Sequence, residues 1–132
     1  MILVIDTNVF VSGLIFPEGY PGRILDYFLD GRFILALDDR IYLEYSTVIK
    51  RKKFGFDKKD IATLLKFIKD TALFVTSEKI NIKLPDPSDL KFVEVAKTAE
   101  ADALITGNTK HFEIVRDIIR ILTPKDAWEK LF

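Results

Sequence analysis

The sequence predicts an α/β fold, with a mainly parallel sheet covered by helices on both faces. Three observations predict it. Short, almost wholly apolar runs recur at residues 2–5, 33–37 and 103–106; they are too short for helices and lack the alternation of a half-exposed strand. Segments with helical spacing of apolar residues separate them. Buried strands joined by helices imply parallel crossovers. The length of 132 residues, with neither repeat nor linker, is that of one domain spanning 1–132, large enough to bury a core.

The elements follow in order. Residues 2–5 are the first strand, and a short helical turn continues to about Ile15. Residues 17–21 are a loop, and Pro21 opens a helix that runs to about Asp30 and stops at Gly31, as proline and glycine punctuate helices. Residues 33–37 are the second strand. Asp38 or Asp39 caps a helix reaching about Lys52, and Asp57 starts another ending near Thr71, since aspartate satisfies free N–H groups at a helix start. Residues 73–75 are a short strand, and the stretch to Leu84 has no assignable pattern. Asp86-Pro87 opens a helix to about Ala99. After the strand at 103–106 come a helix over about 109–117, a last strand at 120–122 and a short helix opened by Pro124.

Composition narrows the chemistry. The chain has no cysteine and one histidine, His111. Disulfides, thiolate metal sites and a multi-histidine zinc site are excluded. A metal would have to be held mainly by oxygen, which selects a hard cation such as Mg²⁺ or Mn²⁺. The hydrophobic fraction of 48% and charged fraction of 30% suit a globular protein. No apolar run approaches the roughly 20 residues of a membrane span. The opening run is too short for a signal peptide and meets an acid at once, so the expectation is a cytoplasmic protein with no membrane partner. Net charge is zero, which leaves nucleic-acid binding to local clusters.

In parallel sheets, ligands bind beyond the carboxyl ends of the strands. Here those ends carry Asp6-Thr7-Asn8 and Thr106-Gly107-Asn108. Two helical acids join them. Asp89 shares a face with Phe92, Val93 and Ala96, and Glu44 falls at the edge of the stripe formed by Ile41, Tyr45 and Val48. Burying unpaired carboxylates is costly, and one divalent cation offsets that cost for several at once. Plainer readings stand beside this one. Asp6 and Asp86 are both good helix caps, Glu44 fits a solvated edge, Asn108 fits a turn and His111 a local hydrogen bond. The combination favours a site.

Taken in order, these segments resemble the PIN domain family over essentially the whole chain. Asp6-Thr7-Asn8 resembles its start, Asp86 to Phe92 its acidic segment, and Ala103 to Asn108 with Lys110-His111-Phe112 its last site segment. The closing Ile121-Leu122-Thr123-Pro124 also fits. The resemblance implies a three-layer α/β/α sandwich and divalent-metal-dependent hydrolysis of RNA phosphodiester bonds. The branch it points to holds toxins of toxin–antitoxin pairs, which implies a protein antitoxin and a homodimer. Asp6, Glu44 and Asp89 match the family's first three acids. Asn108 stands where many members carry a fourth; its amide oxygen can still ligate, but one negative charge is missing. Asp86 is a candidate substitute ligand, and Thr7, Asn8, Ser12 and Thr106 are candidate supporting or phosphate-contacting groups.

The dense basic run Lys50, Arg51, Lys52 and Lys53 has two readings, an RNA-backbone track and a solvated helix end whose dipole favours cations. Three other classes compete with a nuclease. A PIN-like module that binds RNA or protein without cutting is favoured by Asn108 and opposed by the three acids. A phosphatase with a nucleophilic aspartate would need an acid at position 8, which is Asn8. Glycine-rich nucleotide-binding motifs are absent.

Overall fold

In the computed structural model, which describes residues 1–132, the apolar runs form one five-stranded, all-parallel sheet. The strands are β1 (Ile2–Ile5), β2 (Ile34–Leu37), β3 (Leu73–Phe74), β4 (Ala103–Ile105) and β5 (Ile121–Leu122), and their spatial order is β3-β2-β1-β4-β5. Six α-helices connect and cover them: α1 (Thr7–Ile15), α2 (Tyr20–Leu29), α3 (Asp39–Ile49), α4 (Lys58–Thr71), α5 (Leu90–Thr98) and α6 (Pro124–Leu131).

The strand order dictates where the helices lie. From β1 the chain steps outward to β2 and then β3; from β3 it jumps back across β2 and β1 to β4. Parallel crossovers are right-handed, so the helices of the outward steps and α5 of the return cover opposite faces. This is the expected three-layer α/β/α sandwich. It also makes the β1/β4 boundary the point where the connections part in opposite directions, and the crevice beyond it is the natural ligand position. The three central strands have almost no exposed side chain: Leu3, Val4, Ile5, Leu35, Ala36, Leu37, Ala103, Leu104 and Ile105 are all fully buried. That is why their sequences are continuous rather than alternating.

The caps are those that aspartate, proline and threonine would supply. Asp38 accepts from the backbone N–H of Ile41 at 3.1 Å, and Asp57 from Lys59 at 2.8 Å. Pro21, Pro87 and Pro124 lie in the first turns of their helices. Gly31, at φ +73, follows the end of α2 in the left-handed region that a Cβ disfavours. Gly22 has no room for a side chain, since a Cβ there would lie 2.1 Å from the carbonyl oxygen of Pro17.

Three boundaries differ from the sequence reading. Helix α3 ends at Ile49, not near Lys52; Lys50 caps it and residues Lys52–Phe54 form a separate 3₁₀ turn closed by Gly55 at φ +63. A 3₁₀ turn, Pro87–Asp89, precedes α5, because Asp86 caps the shorter turn first. The segment after β4, Thr109–Val115, is 3₁₀ rather than α. No helix is long and apolar enough to cross a membrane.

Candidate functional site

The carboxyl ends of β1 and β4 meet side by side, and each delivers one polar residue into a buried position. Asp6, 7% exposed, follows β1; Thr106, fully buried, follows β4. The Asp6 N–H donates to the Ile105 carbonyl at 2.9 Å, extending the ladder by one step and fixing where its side chain leaves the sheet. The Thr106 hydroxyl donates to Asp6 Oδ2 at 2.8 Å and accepts from the backbone N–H of Asn108 at 3.0 Å. Asp6 also caps α1, with Oδ1 3.4 Å from the Asn8 N–H. The cap therefore does not draw Asp6 away from the strand ends, since one carboxylate takes both the Asn8 and the Thr106 hydrogen bonds.

Tyr45 braces this corner from α3. Its ring stacks on Phe10 of α1 with centroids 4.4 Å apart, and its buried hydroxyl donates to the Ile5 carbonyl. Burial pushes the phenol well above its ordinary pKa, and the negative charges of Asp6 and Glu44 push the same way. It stays a protonated donor.

Glu44, at the edge of the α3 stripe, does face the site. Its Oε2 accepts from the Thr7 hydroxyl and its Oε1 lies 3.0 Å from the Lys91 ammonium. Asp89, in the 3₁₀ turn before α5, lies 3.2 Å from Nδ1 of His111. The Asn108 side-chain nitrogen lies 3.0 Å from His111 Nε2. The same nitrogen lies 3.1 Å from His111 Nδ1. Hydrogen bonds thus run from Asp6 through Thr106, Asn108 and His111 to Asp89, while Thr7 and Lys91 hold Glu44 beside them.

The charges of Glu44 and Asp89 both bear on Asp6. Burial raises the Asp6 carboxyl above its ordinary value; the Thr106 hydroxyl offsets part of this, while the charges of Asp89 and Glu44 raise it further. Asp89 is raised by burial too, against the hydrogen bond from His111. Asp6 has no cation bonded to it. No three acids or histidines are drawn together into a ready-made ligand cage. Lys91 on Glu44 and His111 on Asp89 occupy two of the three carboxylates instead.

The remaining sequence candidates lie further out. Asp86 is exposed, and its carboxylate accepts from both the hydroxyl and the N–H of Ser88 at 2.7 and 2.9 Å. Those bonds lower its pKa. Its visible role is the cap, although its charge reaches Asp89. Ser12 is half-buried on α1, one turn beyond Asn8. Lys50, Arg51 and Lys53 are exposed at the far end of α3, with Lys50 roughly 9 Å along the axis from Glu44 at 1.5 Å per residue. Lys50 and Arg51 border an open cleft of about 670 Å³ floored by Ile49, Ile61 and Leu65.

Sequence reasoning missed Lys91 and undervalued His111. On an α-helical wheel Lys91 falls about 200° from Asp89, on the opposite side. The 3₁₀ turn at Asp89 breaks that wheel, and the long lysine stem crosses to Glu44. For His111 the spacing Asn108–His111 was the available signal, one turn apart after a strand end.

Comparison with known proteins agrees with this architecture. The PIN domain family model matches residues 2–110. An uncharacterized protein of Methanocaldococcus jannaschii is 29% identical over 141 residues, covering 97% of this chain and 90% of that protein. The matched region contains all six residues of the two strand ends, Asp6 among them, together with Glu44 and Asp89, and the chain belongs to the PIN domain family, whose members are generally nucleases that use divalent metal ions.

Proposed function

We propose that the protein is a divalent-metal-dependent endoribonuclease that hydrolyses RNA phosphodiester bonds, acting in the cytoplasm as the toxin of a toxin–antitoxin pair. The observation that carries this reading is Asp6. It is a buried carboxylate with a raised pKa and no cation of its own, and it faces two further acids at the switch point of the sheet. Native proteins seldom bury a carboxylate beside other acids with no cation bonded to it unless it has a use. The donors are all oxygen, so they fit Mg²⁺ or Mn²⁺ rather than a softer ion.

Asp6, Glu44 and Asp89 would hold the cation, with the Asn108 amide oxygen as a further donor. When bound, such a cation neutralises charge on a phosphate and makes a water more acidic. The chain's own groups do the positioning. Thr106 and the Asn8 N–H aim Asp6, Thr7 aims Glu44, and His111 aims Asp89. The half-buried Ser12 and the exposed Asn8 would contact phosphate oxygens. Lys50, Arg51 and Lys53, exposed and without ion-pair partners, would follow the RNA backbone. The exposed Ile15 and Phe16 at the end of α1 are a reasonable contact between two copies of the chain.

A second reading, a PIN domain that binds RNA or protein without cutting, draws on Asn108 and on the absence of three preassembled acids. Incubating a labelled single-stranded RNA with the protein in millimolar Mn²⁺ or Mg²⁺, and in EDTA, separates the two. The nuclease reading expects internal cleavage that stops on chelation. RNA that is bound but left whole under every condition would favour the second reading.

A further inference from the structure

One cation of the chain's own shares the carboxylate face. Lys91 lies in the first turn of α5, two residues after Asp89, and its side chain is only 13% exposed. Its ammonium lies 3.0 Å from Glu44 Oε1, donates to the Ser88 carbonyl and stands 4.9 Å above the ring of Phe92. A lysine is seldom buried this far without a partner, and surface lysines keep their heads in water. This one is held from three sides with its charge directed into the cluster. That charge also reaches Asp89 and Asp86 and favours their ionised forms.

The charge balance explains why it is there. Asp6, Glu44 and Asp89 contribute three negative charges. Asn108 contributes none, and Asp86 is exposed and bonded to Ser88. Lys91 returns one positive charge, so a single divalent ion brings the cluster to neutrality. A second divalent ion would meet an ammonium already on Glu44 and leave a net positive cluster in a largely buried setting, which is unfavourable. Four acids without a lysine would balance two ions.

We propose that Lys91 is a built-in second cation, so that the site takes one divalent ion and the ammonium does the neutralising that a second ion would do. Lys91 is in this sense a positioning residue, since it acts through Glu44. The inference rests on the metal-dependent reading above.

Counting ions on the full-length protein tests it. Mn²⁺ binding is measured by calorimetry and by the Mn²⁺ paramagnetic resonance signal, with thermal melting to confirm that each variant folds. Wild type, Lys91→Arg and Asn108→Asp are expected to bind one ion per chain. The combined Lys91→Gln and Asn108→Asp variant is expected to bind two. Lys91→Gln alone should bind its ion at least threefold more tightly, because the competitor for Glu44 is gone. A lysine that merely props the fold would lower the melting temperature and leave count and affinity unchanged. Two ions in wild type or in Asn108→Asp, one in the combined variant, or no tightening in Lys91→Gln would overturn the role of Lys91 while leaving the nuclease reading intact. No ion bound by any of these proteins would overturn both.

Discussion

Two neighbouring strands of the sheet each end in a buried aspartate, and the two have opposite fates. Asp38, after β2, caps α3 and pairs with Arg40 at 2.7 Å; Arg40 reaches on to Glu94 of α5 at 2.8 Å, and Glu94 also accepts the Ile80 N–H at 2.8 Å. Burial disfavours the Arg40 charge, but its bonds to Asp38 and Glu94 outweigh that and raise its pKa. Every charge in this cluster has a partner, and the bonds tie the irregular segment before Leu84 down onto α5. Asp6, after β1, also caps its helix, but no cation bonds it, and two acids face it. The same residue type in the same local setting is structural where it is satisfied and a candidate ligand where it is not.

The contrast sets up its own tests, in order of expected effect. Asp6→Asn should reduce RNA cleavage by roughly 10²-fold or more, beyond the roughly 10–100-fold typical of losing an outer partner. The protein should remain folded, because asparagine still caps α1. Cleavage kinetics with Mn²⁺ check this, and an undiminished rate would remove Asp6 from the chemistry. Thr106→Val leaves Asp6 without its oriented donor and should cost about 10–100-fold in the same assay.

Arg40→Ala should reverse the pattern. It leaves Asp38 and Glu94 buried without their cation, for a loss of about 1–3 kcal/mol in denaturant unfolding, with cleavage per folded molecule unchanged. Replacing Lys50, Arg51 and Lys53 together by serine should shrink the log–log salt slope of RNA binding by about 2 if each meets one phosphate of a single strand. An unchanged slope would return the run to its other reading, cations settled at a helix end.

The smallest effect concerns pH in the metal-free protein. The folded Asp6 carboxyl has a raised pKa, so the native state holds that proton more tightly than the unfolded chain. The associated stability is present below the ordinary carboxylate value and is lost as pH rises through the raised one. In EDTA, wild type and Asp6→Asn should therefore melt at similar temperatures in strong acid, with wild type falling behind above that window. Parallel melting curves across the whole range would show that the Asp6 charge is not under strain.

Much of the fold was legible because the central strands are buried on both faces, and such strands have a plain signature in runs like Ile2-Leu3-Val4-Ile5. The parallel order followed from the alternation of strands and helices. What the sequence did not carry was geometry finer than a turn. The switch from α to 3₁₀ at residues 87–89 and 109–115 depends on tertiary packing that propensity does not encode. The same limit hid Lys91. Asp38 and Asp6 were indistinguishable as letters after an apolar run, and only the position of Arg40, which reaches Glu94 across 54 residues, separates them. The acids of the candidate site were legible because three of them occupy places where apolar residues or caps belong; their lysine and histidine partners were not, because those contacts cross between elements.

The central claim is that Asp6, Glu44 and Asp89 hold a divalent cation while Asp38 and Glu94 do not. Crystals soaked in millimolar Mn²⁺ and measured for its anomalous scattering test it most directly. The account predicts one peak bounded by Asp6, Glu44 and Asp89, with the Arg40 cluster empty. No peak among those three, or a peak between Asp38 and Glu94, would contradict it.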